Sequence, residues 1–281
     1  MIKTKKEVLF DIKNQIQQLD SYVVGEEVLL VCQTLGISRE KLFLMDSFDD
    51  LQLKKINRIV KKRTQNMPLN KIFKNQSFYN LNFYVNNNVL APRKESELIV
   101  ELALNLIAKS TKNKINLLDL CCGSGCLGIS ITKNATKEVS LTLADISSKA
   151  LTVARKNLKI NDISCCQIIK SNMFGGLKSN KKFDIIVCNP PYLTKEEYKN
   201  LSSSVKDYDP KISLIGGDDG LDFYRILAKE SKKFMTKDAK LIVEIGYLQG
   251  LSVSKIFENN GYNVKIHKDY SNLDRLLLIN L

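Results

Sequence analysis

From Ile115 to the end of the chain, short apolar runs alternate with stretches of helical spacing, and few folds accommodate that alternation. The runs cover residues 115–121, 139–144, 168–170, 183–188 and 241–245, with helices expected from Cys126, Ser148, Leu221 and Leu251. A repeated strand–helix–strand pattern buries both faces of a mostly parallel sheet, with right-handed crossovers between the strands. Residues 264–266 and 275–279 supply two closing strands joined by a short polar turn, one of them antiparallel. The expected class is α/β.

The first quarter of the chain follows a different period. Residues 2–67 are helically spaced: Val28, Leu29, Val31, Cys32 and Leu35 share one face before Gly36, and Leu51, Leu53, Ile56, Ile59 and Val60 form another. Between residues 73 and 91 strand-like alternation takes over among Asn-rich turns, which suggests a β-hairpin, and helical spacing returns over residues 95–108. The expected organisation is a helical domain at 1–75, a hairpin linker at 76–92 and an α/β domain at 93–281.

Composition narrows the function. With 281 residues and 44% hydrophobic content the chain can bury one large core and one small one. No apolar stretch approaches the ~20 residues of a membrane span, and the segment from Met1 to Glu7 lacks the apolar core of a leader, so a cytoplasmic protein without a membrane partner is expected. Seven cysteines, four of them in the adjacent pairs Cys121-Cys122 and Cys165-Cys166, read as small hydrophobes in a reducing compartment. The single histidine, His267, offers no zinc spacing and no catalytic triad, so no metal is expected. The net charge of +13 suggests an acidic partner such as nucleic acid or a ribonucleoprotein, but it divides into +5 over residues 1–75 and +8 over the remainder. No segment owns the excess.

Two motifs carry chemistry. Asn189-Pro190-Pro191-Tyr192 follows the buried run 183–188 at a strand's carboxyl end, where open α/β sheets bind ligands. Each proline removes an N–H and biases the preceding residue toward extended geometry, leaving a stiff, acceptor-rich turn suited to a substrate NH2, as in an amide or adenine. Upstream, Gly123, Gly125 and Gly128 fit G-x-G-x-x-G between a strand and a helix, a pattern shared with dinucleotide-binding dehydrogenases. Asp119, four residues before the first glycine, would repel a pyrophosphate but suits the ammonium of a methionine moiety, which favours S-adenosylmethionine. Asp145 lies 20 residues beyond Gly125, where a carboxylate can accept ribose hydroxyls; it could also serve only as a neighbour of the helix start at Ser147 and Ser148.

With these motifs in this order, the chain resembles class I amino-methyltransferases, and more narrowly the HemK-type N5-glutamine methyltransferases of bacterial peptide chain release factors. The resemblance covers nearly the whole chain. It includes Arg63 to Leu69, Phe78, Pro92-Arg93-Lys94-Glu95-Ser96-Glu97, Asp119 to Gly125, Asp145, the Asn-Pro-Pro-Tyr tetrapeptide, Tyr208-Asp209-Pro210, the loop Gly216 to Leu221, Glu244-Ile245-Gly246 and Asp274-Arg275. Ser96 stands where the family pattern has Thr, Cys121 where many members have Gly, and Asn172-Met173 where they have Asp-Trp. The resemblance implies a Rossmann-like methyltransferase domain, S-adenosylmethionine as cofactor and release factors as protein substrates near the ribosome, with no stable nucleic-acid partner. It assigns Asp119, Cys121, Cys122, Gly123, Ser124, Gly125, Asp145, Met173 and Asn189 to the cofactor, and Asn189, Pro190, Pro191 and Tyr192 to the substrate.

The chemistry expected of the tetrapeptide follows from the weak nucleophilicity of an amide, whose nitrogen lone pair is held in resonance. If the Asn189 side-chain oxygen and the Pro190 carbonyl each accept one N–H, they turn the nitrogen toward a methyl donor and support its developing positive charge. Tyr192 would lie along the flat amide. The loop at Gly216-Gly217 follows no expected strand and reads as substrate-side or structural. Adenine-N6 DNA methyltransferases use a similar tetrapeptide on a flipped base, and glutamine methyltransferases of a ribosomal protein are closer rivals; Val205 to Pro210 favours the release-factor branch. A basic RNA-binding module that has lost turnover is the non-enzymatic alternative.

Overall fold

The computed structural model describes residues 3–281; Met1 and Ile2, where the expected helical segment opens, lie outside the described residues. The chain falls into two compact units, one taking the described residues through Lys74 with Ser202–Tyr208, the other Asn75–Leu201 with Asp209–Leu281.

The smaller unit is built on the helices Lys5–Ile16, Glu26–Leu35 and Asp50–Arg63. Thr4 and Asp49 open the first and third with capping boxes, each satisfying N–H groups that the first turn leaves without partners. Val8, Ile12, Ile16, Leu30, Val31, Ile56 and Val60 form its core. Arg63 is 1% exposed, and its Nε donates to Glu26 Oε1 at 2.5 Å, so the buried charge is paired. A two-stranded ribbon, Lys3–Thr4 with Ser47–Phe48, was not legible, because two residues per strand carry no period. Ser203 and Tyr208 join this unit through Asn66 Nδ2–H to Ser203 Oγ (2.5 Å) and Tyr208 O–H to the Gln65 carbonyl (2.9 Å).

The larger unit holds a seven-stranded sheet: β1 (Lys114–Leu120), β2 (Glu138–Asp145), β3 (Cys166–Lys170), β4 (Phe183–Cys188), β5 (Met235–Glu244), β6 (Asn263–Lys268) and β7 (Asp274–Asn280). Their order is β6-β7-β5-β4-β1-β2-β3, and only β7 runs against the others. The chain moves outward from β1 through β2 to β3, then returns to place β4 on the other side of β1. That reversal opens a crevice at the carboxyl ends of β1 and β4. All six residues of β4 are buried; five are apolar, and the sixth, Asp184, accepts Asn116 N–H at 2.9 Å and Thr236 O–H at 3.1 Å. β5 begins at Met235, six residues before the expected 241, because Lys237, Asp238 and Lys240 interrupt the apolar run at its exposed end.

A hairpin of Asn75–Phe78 and Leu81–Tyr84 packs as part of this unit. It is shorter than the alternation suggested: Val85 and Val89 are fully buried but lie beyond the strands, against Ala150 and Val153. Asn157, itself fully buried, accepts Tyr84 N–H at 2.7 Å and donates to the Tyr84 carbonyl at 3.0 Å, while Asn161 donates to the Asn82 carbonyl at 3.1 Å. No described helix is long and apolar enough to cross a membrane.

Candidate active site

At the crevice, the loops that follow β1, β2, β3 and β4 line one cavity. Its walls include Cys121–Ser124, Asp145, Met173, Asn189 and Pro191, with a further side formed by Asn88–Arg93 and Ser96.

On the β1–β2 side, backbone geometry does most of the positioning. Cys121 has φ +59° and Gly123 φ +52°, so the chain reverses within three residues of the strand. A Cβ built on Gly123 meets nothing within 4 Å, so this glycine leaves open space at the turn. Gly128 serves another purpose: a Cβ there would fall 2.7 Å from Leu141 and 2.9 Å from Leu143, so its absence lets the helix Cys126–Asn134 lie close on the sheet. Asp145 holds the turn, accepting Gly123 N–H through Oδ2 and Ser147 N–H through Oδ1, each at 2.8 Å. Burial raises its pKa against the pull of these two N–H groups. Each carboxylate oxygen has two lone pairs, so Asp145 keeps acceptor capacity at the cavity wall. The Ser124 carbonyl is fixed by Asn157 Nδ2–H at 2.9 Å.

Asp119 does not line this cavity. It is fully buried, its Oδ2 accepts Gly128 N–H at 2.9 Å, and its Oδ1 has no partner. Burial pushes its pKa up to about 7, opposed by the Gly128 N–H and aided by nearby Asp145. Asp119 thus ties β1 to the helix after the glycine turn, where its position in sequence had suggested a direct contact with an ammonium. The spacing was right for the strand end, but in this register the side chain turns under the loop.

On the β4–β5 side, side chains do the positioning. Asn189 is half-buried, and its Nδ2 donates to Ser96 Oγ at 3.3 Å. Ser96 in turn donates to Glu244 Oε2 at 2.5 Å, and Glu244 is 3% exposed at the end of β5. Burial raises the Glu244 pKa to about 6, against the stabilising Ser96 hydroxyl, Arg275 and the Asn189 amide. Pro191 reaches the cavity, whereas Pro190 and Tyr192 do not line it. The Tyr192 ring packs against the main core, and burial pushes its phenol up to about 12. Its carbonyl accepts Gln249 Nε2–H at 3.0 Å.

The glycine loop after residue 215 clamps the tetrapeptide. Leu193 pairs with Ile215, Gly216 N–H donates to the Leu193 carbonyl at 2.8 Å, and a Cβ on Gly216 would come within 2.6 Å of the Pro191 carbonyl. Its role is structural, one of the two readings left open for it.

A family profile described as Methyltransferase small domain matches residues 95–205. The release factor glutamine methyltransferase of Clostridium acetobutylicum is 34% identical over 92% of this chain and 90% of its own length. The chain belongs to the release factor glutamine methyltransferase family. A second member, from Mycoplasma mycoides subsp. mycoides, is 34% identical over 96% of this chain and 98% of its own. Among solved structures, a methyltransferase from Pyrococcus furiosus superposes with a TM-score of 0.53 at 19% identity, covering 78% of this chain and 97% of that one. At that identity the likeness speaks for the fold, which is the class I methyltransferase fold. The expected α/β class and the resemblance are thus borne out.

Cys121, Cys122, Gly123, Ser124, Asp145, Met173, Asn189 and Pro191 come together around the cavity, while Asp119, Gly125, Pro190 and Tyr192 stand behind it. Ser96, Glu244, Asn157 and Gln249 were not singled out from sequence as parts of the site. Ser96 and Glu244 fell inside motifs of the resemblance, but nothing in their spacing announced that they meet across 148 residues.

Proposed function

We propose that this protein transfers a methyl group from S-adenosylmethionine to the side-chain amide nitrogen of the glutamine in the Gly-Gly-Gln motif of peptide chain release factors. The observation that carries the reading is Asn189 at the cavity wall with its NH2 already engaged by Ser96, which leaves the amide oxygen to accept a substrate N–H. Family membership supports the same substrate.

The walls fit the cofactor. Gly123 opens on free space, Asp145 has acceptor capacity for ribose hydroxyls, and the sulfur-bearing Cys121 and Met173, whose Sγ and Sδ lie 3.8 Å apart, offer a polarisable surface to a purine. When bound, S-adenosylmethionine supplies an electrophilic methyl group on a sulfonium. The protein's part is then orientation. Asn189 Oδ1, at the cavity wall, accepts one amide hydrogen, and the rigid Pro-Pro turn behind it keeps this acceptor fixed as charge arrives on nitrogen. Tyr192 braces that turn from below. No strong base is needed, since the proton is lost after nitrogen becomes cationic.

In this reading residues 1–75 dock the release factor and the enzyme works in the cytoplasm, near the ribosome. The test is incubation with tritiated S-adenosylmethionine and, separately, purified release factor, ribosomal protein and DNA, followed by mass spectrometry of the labelled product. Label on the Gly-Gly-Gln glutamine is expected, with moderate salt sensitivity. Labelled adenine in DNA, lost steeply between about 50 and 200 mM salt, would reverse the choice.

A further inference from the structure

Ser96 stands at the start of the helix Glu97–Lys109, where a serine ordinarily accepts an N–H of the first turn. Here it makes no such bond. The hydroxyl is 2% exposed and works elsewhere: it donates to Glu244 Oε2 and accepts Asn189 Nδ2–H. Glu244 ends β5 and Asn189 follows β4, and these strands are paired through Cys188 and Val243. One hydroxyl therefore bridges the carboxyl ends of two adjacent strands.

The direction of these bonds has a chemical consequence. An ionised carboxylate only accepts, so the single Ser96 proton is committed to Glu244. The remaining lone pairs of the hydroxyl can only accept in their turn. Asn189 must then present its NH2 to Ser96, because its oxygen would face another acceptor. Neither end of an amide is favoured by shape, so a hydrogen-bond network of this kind decides which way it points. The chain of bonds also polarises each member, drawing electron density toward Asn189 Oδ1 and strengthening it as an acceptor.

We propose that Ser96 and Glu244 are positioning residues that lock the Asn189 side chain with its oxygen toward the substrate amide. The role rests on the glutamine reading above. Ser96 and Glu244 act through Asn189, so their loss lowers turnover rather than affinity.

The test compares the full-length protein with Ser96→Ala, Ser96→Thr and Glu244→Gln, measuring kcat and KM for purified release factor and calorimetric affinity for S-adenosylmethionine. Ser96→Ala removes the hydroxyl that fixes the amide and leaves only Glu244 to restrain it, and kcat falls by roughly 10-fold or more while KM and cofactor affinity stay within about threefold. Ser96→Thr restores the hydroxyl and recovers most of that loss. Glu244→Gln can present either a donor or an acceptor to Ser96, so the direction of the hydroxyl is no longer fixed, and kcat falls again. Should Glu244→Gln fail to fold, the two Ser96 variants decide the matter. Wild-type turnover in Ser96→Ala overturns the positioning role alone. A loss that Thr does not rescue, or that appears equally in KM and cofactor affinity, marks Ser96 as a packing residue and also overturns it. No transfer to the release-factor glutamine by the unaltered enzyme overturns the glutamine reading and the positioning role together.

Discussion

The two sides of the cavity are organised by different means. Around β1 and β2 the shape comes from backbone: a turn with three positive φ angles, glycines at set offsets and one carboxylate, Asp145, gathering N–H groups from its own loop and from Gly123. Around β4 and β5 it comes from side chains far apart in sequence, with Ser96, Asn189 and Glu244 meeting across three elements. Backbone pattern is robust to single side-chain changes, whereas a relay of side chains fails at any link. Substitutions on the β4–β5 side should therefore strike turnover, and those on the β1–β2 side cofactor affinity and stability.

The sharpest break is expected at Asn189. Asn189→Ala should lose at least ~100-fold in methyl transfer, the scale of removing one oriented polar contact to a transition state, with cofactor affinity held within a few fold. Near-normal turnover in single-turnover assays would erase the contrast between the two sides. On the other side, Asp145→Ala should weaken S-adenosylmethionine by roughly 1.5–3 kcal/mol, the range for hydrogen bonds to a charged group. It also releases Gly123 and Ser147, so the melting temperature should fall with it. Unchanged affinity by calorimetry would reduce Asp145 to a helix-start residue.

The same contrast explains what could be read in advance. β4 was legible because a run of six with five apolar residues, bounded by charge and prolines, fits a buried strand, and the glycine turn because Gly123 and Gly125 stand at fixed offsets where φ is positive. Asp119 was legible as a strand end but not in orientation, since a carboxylate at that position can face the cavity or turn beneath the loop, and only the packing of Gly128 on Leu141 and Leu143 decides. The Ser96–Glu244 contact was hidden for a plainer reason. Sequence carries no record of which two polar residues in distant motifs will share a proton.

Asp119 gives a prediction in pH. Its folded pKa, about 7, lies above the ordinary 3.8, so the folded protein keeps a proton that the unfolded chain has already released. Stability then falls as pH rises from about 4 to about 7 and is flat above, with a slope of at most about 1.4 kcal/mol per pH unit from this group. Glu244, raised to about 6, tilts the curve the same way. Asp119→Asn keeps an acceptor for Gly128 N–H but cannot ionise, so denaturant titrations should show a shallower fall for the variant. Identical slopes would mean that Asp119 titrates near its ordinary value and that the buried site admits water.

The smallest expected effect tests how much strain the β1 turn stores. Cys121 adopts φ +59°, a region that costs a residue with a Cβ roughly 1–2 kcal/mol. Cys121→Gly removes that strain, but it also gives up the contact between Sγ and Met173 Sδ at 3.8 Å and adds freedom to the unfolded chain, worth about 0.4–1 kcal/mol. The terms nearly cancel, with strain the larger, so a gain of a few tenths of a kcal/mol is expected, read as a rise in melting temperature with cofactor affinity retained. The sign is what matters. A fall would show that the sulfur pair at the floor of the cavity holds the turn more firmly than its backbone does, and the β1 side would then depend on side chains as the β4 side does.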